Sequence, residues 1–127
     1  MSPQELVTDF VLAMHEWETT AFARDRLFEP RLREIFGAFA TSGWSQVRPQ
    51  VGFLRKGYRR PPDYYPSEHL QILRARESPP WVFVYTAGRP NTAVLEQRYA
   101  LVQADGGWRI HAKHLRNEDG LVWAEDL

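Results

Sequence analysis

Apolar positions follow two periods along this chain. Leu6, Val7, Phe10, Val11, Met14, Trp17, Ala21 and Phe22 advance in steps of three and four, the stripe of a one-sided amphipathic helix of about six turns. Ser2-Pro3-Gln4-Glu5 opens it as a capping box with proline at the first helical position. The Ser2 hydroxyl can accept from the Glu5 amide while the Glu5 carboxylate reaches back. A short turn over Asp25 to Phe28 is expected to lead to a second helix, opened by Pro30, lined by Leu32, Ile35, Phe36 and Phe39, and stopped by Ser42-Gly43.

Between Trp44 and Pro66 the residues Pro49, Gly52, Gly57, Pro61, Pro62 and Pro66 break any period, so a loop with one short strand near Val51 to Leu54 is expected. The period then becomes two. Strands are predicted over Glu68 to Glu77, Trp81 to Thr86, Val94 to Ala104 and Trp108 to Leu115, with a last short one over Leu121 to Ala124. Ser78-Pro79-Pro80, Gly88-Arg89-Pro90-Asn91 and Asp105-Gly106-Gly107 supply the turns, the last being the strongest hairpin signal. Helices first and a meander after them predict one α+β domain over residues 1–127, with the N-terminal helices packed on one face of a curved antiparallel sheet. Trp81, Tyr85, Tyr99 and Trp108 are expected to fill its core.

Composition narrows the function more by exclusion than by assertion. The chain has 127 residues, 16 Lys plus Arg, 16 Asp plus Glu and no Cys, so disulfides, cysteine zinc sites and thiol nucleophiles are excluded. Zero formal charge argues against a protein that coats nucleic acid or an anionic membrane. No apolar run reaches the length of a membrane span, and Met1-Ser2-Pro3-Gln4-Glu5 is not a secretory signal, so the cytoplasm is the expected location. The neutrality is a cancellation: residues 1–30 carry −4, residues 31–60 carry +6 and the remainder −2.

Motifs for chemistry mostly fail on inspection. Gly52 to Gly57 has phosphate-loop spacing, but Tyr58-Arg59 stands where Lys-Ser/Thr is needed and no helix follows. His111 and His114, three apart on a strand, point to opposite faces and cannot share a metal without a bulge. His15-Glu16-Trp17-Glu18 lacks the second histidine of a zinc-protease helix, and there is no nucleophile elbow. A cupped pocket could still combine a carboxylate base with a Tyr or His, the candidates being Glu16, Glu18, Glu96, Tyr85, Tyr99 and His111. Tyr58, Tyr64 and Tyr65 lie instead among Arg55, Lys56, Arg59, Arg60 and Asp63, a mixture that anchors protein interfaces, stacks on single strands or braces a sheet edge.

Met14-His15-Glu16-Trp17-Glu18, Glu34-Ile35-Phe36, Pro61-Pro62-Asp63-Tyr64, Arg98-Tyr99-Ala100-Leu101, Gly107-Trp108-Arg109-Ile110 and Trp123, taken in order, resemble a bacterial family. It is the immunity proteins with a nuclear-transport-factor-two-like fold from polymorphic toxin systems. The chain departs from the family pattern at Ala40-Thr41-Ser42-Gly43, where a Cys-Thr-containing segment is usual, and in its arginine-rich loop. The resemblance implies a cone-like cupped sheet and neutralisation of a cognate toxin by binding, with no catalytic residue, cofactor or metal to carry over. The expected contacts are Tyr58, Arg59, Arg60, Asp63, Tyr64 and Tyr65, with Glu16 and Glu18 as a second patch; pairing of two copies through the sheet is left open, and neither nucleic acid nor membrane is an expected partner. The alternative is a small-molecule isomerase or dehydratase of the same cupped fold.

Overall fold

In the computed structural model of the chain, residues 1–22, 28–41, 72–88, 94–104, 106–117 and 123–125 are described. They form two helices, α1 (Pro3–Phe22) and α2 (Phe28–Phe39), and five strands, β1 (Ile72–Ser78), β2 (Trp81–Ala87), β3 (Val94–Ala104), β4 (Gly107–Asn117) and β5 (Ala124–Glu125). The strands pair in chain order, every pairing antiparallel. The architecture is α+β.

The capping box forms as its residues dictate. The Glu5 amide donates to Ser2 Oγ at 3.1 Å, the Ser2 amide donates to Glu5 Oε1 at 3.3 Å, and the Leu6 amide closes the first turn on the Ser2 carbonyl at 3.0 Å. The Ser2 amide, and after it the Ser2 hydroxyl, favour the ionised carboxylate and lower the Glu5 pKa.

The second helix differs at both ends from its expected bounds. It starts at Phe28, inside the expected turn, so Pro30 sits within the first turn, where a missing N–H removes no intrahelical bond. It ends at Phe39 because the sheet captures the next residues: Ala40 bridges Ile110 in parallel, and the Thr41 amide donates to the Ile110 carbonyl at 2.9 Å. The described part of the first strand runs Ile72–Ser78, the expected start at Glu68 lying outside the described residues, and the last strand occupies Ala124–Glu125. The strand expected at Val51 to Leu54 lies outside the described residues.

The core lies between the helices and one face of the sheet. Leu6, Val7, Phe10, Val11, Met14 and Trp17 of α1 and Leu32, Ile35 and Phe36 of α2 meet Val82, Val84, Tyr99, Leu101 and Ile110. Phe10 is fully buried at the centre. Its ring makes edge contacts with Phe36 at 5.8 Å, Phe39 at 6.0 Å and Tyr99 at 6.0 Å, joining both helices to the middle strand. Between β3 and β4, Gly106 takes φ 81°, a left-handed turn conformation that Asp-Gly suits.

Phe10→Ala removes the ring shared by these three elements and should cost about 3–5 kcal/mol, read as a lowered urea midpoint. Leu12→Ala, at a position 44% exposed on the same helix, should change stability by no more than about 0.5 kcal/mol. Equal effects of the two changes would contradict the packing described.

Candidate functional site

Alternation along the strands divides their side chains between two environments. The register aligns Val82 with Leu101 and Ile110, Val84 with Tyr99 and Lys113, and Thr86 with Gln97 and Leu115. These rows face the helices. The intervening rows face away: Arg76 with Phe83, Ala100 and Ala112; Arg74 with Tyr85, Arg98 and His114; and Ala87 with Glu96 and Arg116.

The outward rows form a lattice of guanidinium groups and rings. Arg74 lies over the Tyr85 ring at 3.9 Å from its centroid, and Arg98 lies over Phe83 at 4.9 Å and Trp123 at 4.7 Å. Arg116 approaches the other half of this cluster, 5.8 Å from the Trp123 centroid, and Tyr85 meets Trp123 edge to face at 5.6 Å. Flat cations on aromatic faces are held by the ring quadrupole and leave their N–H edges directed along the surface.

Glu96 ties two of the arginines together. Its Oε1 accepts from Arg74 at 3.0 Å and its Oε2 lies 3.0 Å from Arg116 Nη2. The carboxylate is 13% exposed, whereas Arg74 is 52% and Arg116 28% exposed, so the anion is sheltered by cations that still reach solvent. The Arg74 hydrogen bond, reinforced by Arg116, holds the Glu96 carboxyl below the usual carboxylate range, and Glu96 in turn raises the Arg74 pKa.

A bulge decides which residues of β4 join this face. Ala100 pairs with Ala112 but Leu101 pairs with Ile110, leaving His111 as the extra residue. Strict alternation from Ile110 would turn Ala112 and His114 inward; the bulge turns Lys113 and Leu115 inward instead. His111 and His114 therefore share the outward face, contrary to the opposite orientation expected from their spacing. They are not joined there: His111 Nδ1 is 2.8 Å from Thr41 Oγ1 with its ring 5.3 Å from Trp81, and His114 Nδ1 accepts from Arg98 Nε at 3.2 Å.

The inward face is occupied. Phe10, Phe36 and Tyr99 fill it, and Thr86, Gln97 and Lys113, also fully buried, form a polar patch beside them. Gln97 Nε2 and Thr86 Oγ1 both donate to the Ala87 carbonyl at 3.2 Å, and Lys113 Nζ lies 5.6 Å from the Tyr99 ring centroid. At the opposite end of the sheet, Arg109 donates to the Ala38 carbonyl, fastening β4 to α2.

Several sequence expectations are corrected by this placement. Trp81 is half-buried on the outward face rather than in the core; Tyr85 is buried as expected, 5% exposed, but on the outward side, where Arg74 and Trp123 cover it. The candidate acid-base group is dispersed: Tyr99 faces inward, Glu96, Tyr85 and His111 face outward, and Glu16 is exposed on α1. The Glu18 side chain and Tyr58, Arg59, Arg60, Asp63, Tyr64 and Tyr65 lie outside the described residues. The arginine lattice itself was missed by sequence reasoning. Its signal was present in Trp81, Phe83 and Tyr85 alternating with Val82, Val84 and Thr86, but β2 is apolar on both sides.

The geometry thus defines a helix-backed antiparallel sheet with a cationic, aromatic face. Compared with known proteins, the chain matches no family model, no curated protein sequence and no solved structure.

Glu96→Gln should lower stability by about 0.5–1 kcal/mol at neutral pH, because Arg74 and Arg116 lose their shared anion while partly hydrated. Since the folded-state pKa of Glu96 is depressed, its contribution is complete above the ordinary glutamate value. It is lost as pH falls through the folded value. Urea midpoints of the two proteins should therefore converge in acid. A constant gap at every pH would rule out the ion pairs as its source.

Proposed function

We propose that this chain is an inhibitor-type binding protein, an immunity protein that neutralises a cognate bacterial toxin by docking on it. In this reading the fold is the cupped, nuclear-transport-factor-two-like sheet implied by the ordered family motifs. The observation that carries the binding reading is the outward lattice of Arg74, Arg98 and Arg116 on Tyr85, Phe83 and Trp123. Arginine and large aromatics are the residues that dominate binding energy at protein interfaces, and here stacking restrains the arginines before a partner arrives.

Two further observations favour binding over the isomerase or dehydratase alternative. The helix-facing side is packed with Phe10, Phe36 and Tyr99, so the rings occupy the volume a substrate would need. Of the groups suited to acid-base work, Glu96, His111 and Tyr85 are on the other side of the sheet, engaged with Arg74, Trp81 and Trp123, which leaves Tyr99 inside without a carboxylate or histidine candidate beside it among the described residues. A general base must reach its substrate proton, which these positions do not allow from within the cup.

The test is to inspect the gene immediately upstream for a secreted protein with a toxin-like C-terminal domain, as this reading expects, and to co-express that domain with this chain. Rescue of growth and an equimolar complex on size exclusion are expected. Unrescued toxicity together with no complex would overturn the reading.

A further inference from the structure

The charge on the outward face is one-sided. Arg74, Arg76, Arg98 and Arg116 stand there against Glu96 among the side chains described, and Arg76 is exposed on the edge strand β1. On the helix side, α1 has the opposite character, exposing Glu5, Asp9 and Glu16 above an apolar stripe buried against the sheet, while α2 is mixed, with Arg31 and Arg33 beside Glu34. The acidic exposed side of α1 and the cationic sheet face are thus on opposite sides of the core.

From this separation we infer that the outward sheet face docks an acidic protein surface, with Arg74, Arg76, Arg98 and Arg116 as the groups that pair with the partner's carboxylates. The inference rests on the inhibitor reading and adds to it the surface used and the chemistry of the partner. Three observations select this occupant. Guanidinium groups stacked on rings present planar N–H edges, the geometry that carboxylates accept in bidentate fashion. Nucleic-acid bases would need open aromatic faces, but Tyr85 is already covered by Arg74, and Phe83 and Trp123 by Arg98. A second copy would place this same patch against itself across a twofold axis, opposing like charges.

The aromatic floor matters as much as the charge. Trp81 beside His111, and Phe83 and Trp123 beneath Arg98, are half-buried, so a partner that seats on them removes water from the arginine contacts. Charge-assisted bonds made there gain strength from that exclusion, whereas arginines on a fully hydrated loop would contribute mainly to encounter.

The experiment uses the full chain labelled with nitrogen-15 and a synthetic decapeptide of alternating Asp and Glu as probe. Binding should shift the Arg98 Nε–H and the Trp81 and Trp123 indole N–H resonances. Arg76→Glu should weaken it by about fivefold, and adding Arg98→Glu by a further several-fold, as expected for charge reversal within a complementary patch. Arg33→Glu, the same change of charge on the exposed side of α2, should leave the affinity unaltered. Arg76 is exposed at an edge, so its variant keeps the test valid if the Arg98 variant unfolds.

Three results would overturn the inference: peptide shifts confined to other surfaces or absent, tighter binding of an oligothymidylate of equal length to this face, or a dimer in sedimentation that Arg76→Glu dissociates. The inhibitor reading fails separately. A chain that binds the peptide through these arginines but does not rescue growth leaves the surface standing and removes the immunity role. Rescue that survives the double reversal does the opposite.

Discussion

Both faces of this protein depend on the register of β2, β3 and β4. Val82, Val84, Tyr99, Leu101 and Ile110 occupy one set of alternate positions, and they are buried because Phe10 and its neighbours on α1 and α2 cover that side. A slip of one residue would exchange the sets, driving Arg98 and Glu96 under the helices and Val84 and Tyr99 outward. The penalty for burying those charges is far greater than any change in ladder hydrogen bonding. Packing on one side therefore determines the chemistry displayed on the other.

The bulge at His111 makes the arrangement asymmetric. Without it, β4 would present His114 to the core; with it, the inward position goes to Lys113, whose ammonium lies near the Tyr99 ring, and His114 joins Arg98 outside. The same stretch of β4 is where the chain leaving α2 attaches, through Ala40 and Thr41. One extra residue thus coincides with the point at which helix layer and sheet are tied together, and it places a histidine from β4 next to Trp81. Bulges recur where a side chain must be redirected without ending a strand.

Electrostatics on the outward face is best understood as a restrained excess of positive charge. Glu96 is sheltered by the guanidinium groups it binds, and the rings beneath hold those groups in fixed planes. An isolated surface ion pair contributes little to stability because both side chains lose entropy to form it. Here part of that entropy is already lost to stacking, so less of the attraction between Glu96 and its two arginines is offset.

Much of the fold was legible in the residues alone. The capping box, the stripe from Leu6 to Phe22 and the Asp105-Gly106-Gly107 turn each act through neighbours a few positions away, so spacing was enough to locate α1 and the β3–β4 hairpin. The candidate site was legible only in part, because β2 reads Trp-Val-Phe-Val-Tyr-Thr-Ala and both of its faces are apolar. Nothing local says which face the helices will cover, or that a bulge will reverse the sense of alternation halfway along β4. Those choices follow from contacts between residues distant in the chain, Phe10 with Tyr99 and Ile110 with Ala40 among them. The sequence by itself determined the elements and a zero sum of charge; the tertiary structure alone placed the arginines of three strands on one face, since their proximity exists only when the strands are paired.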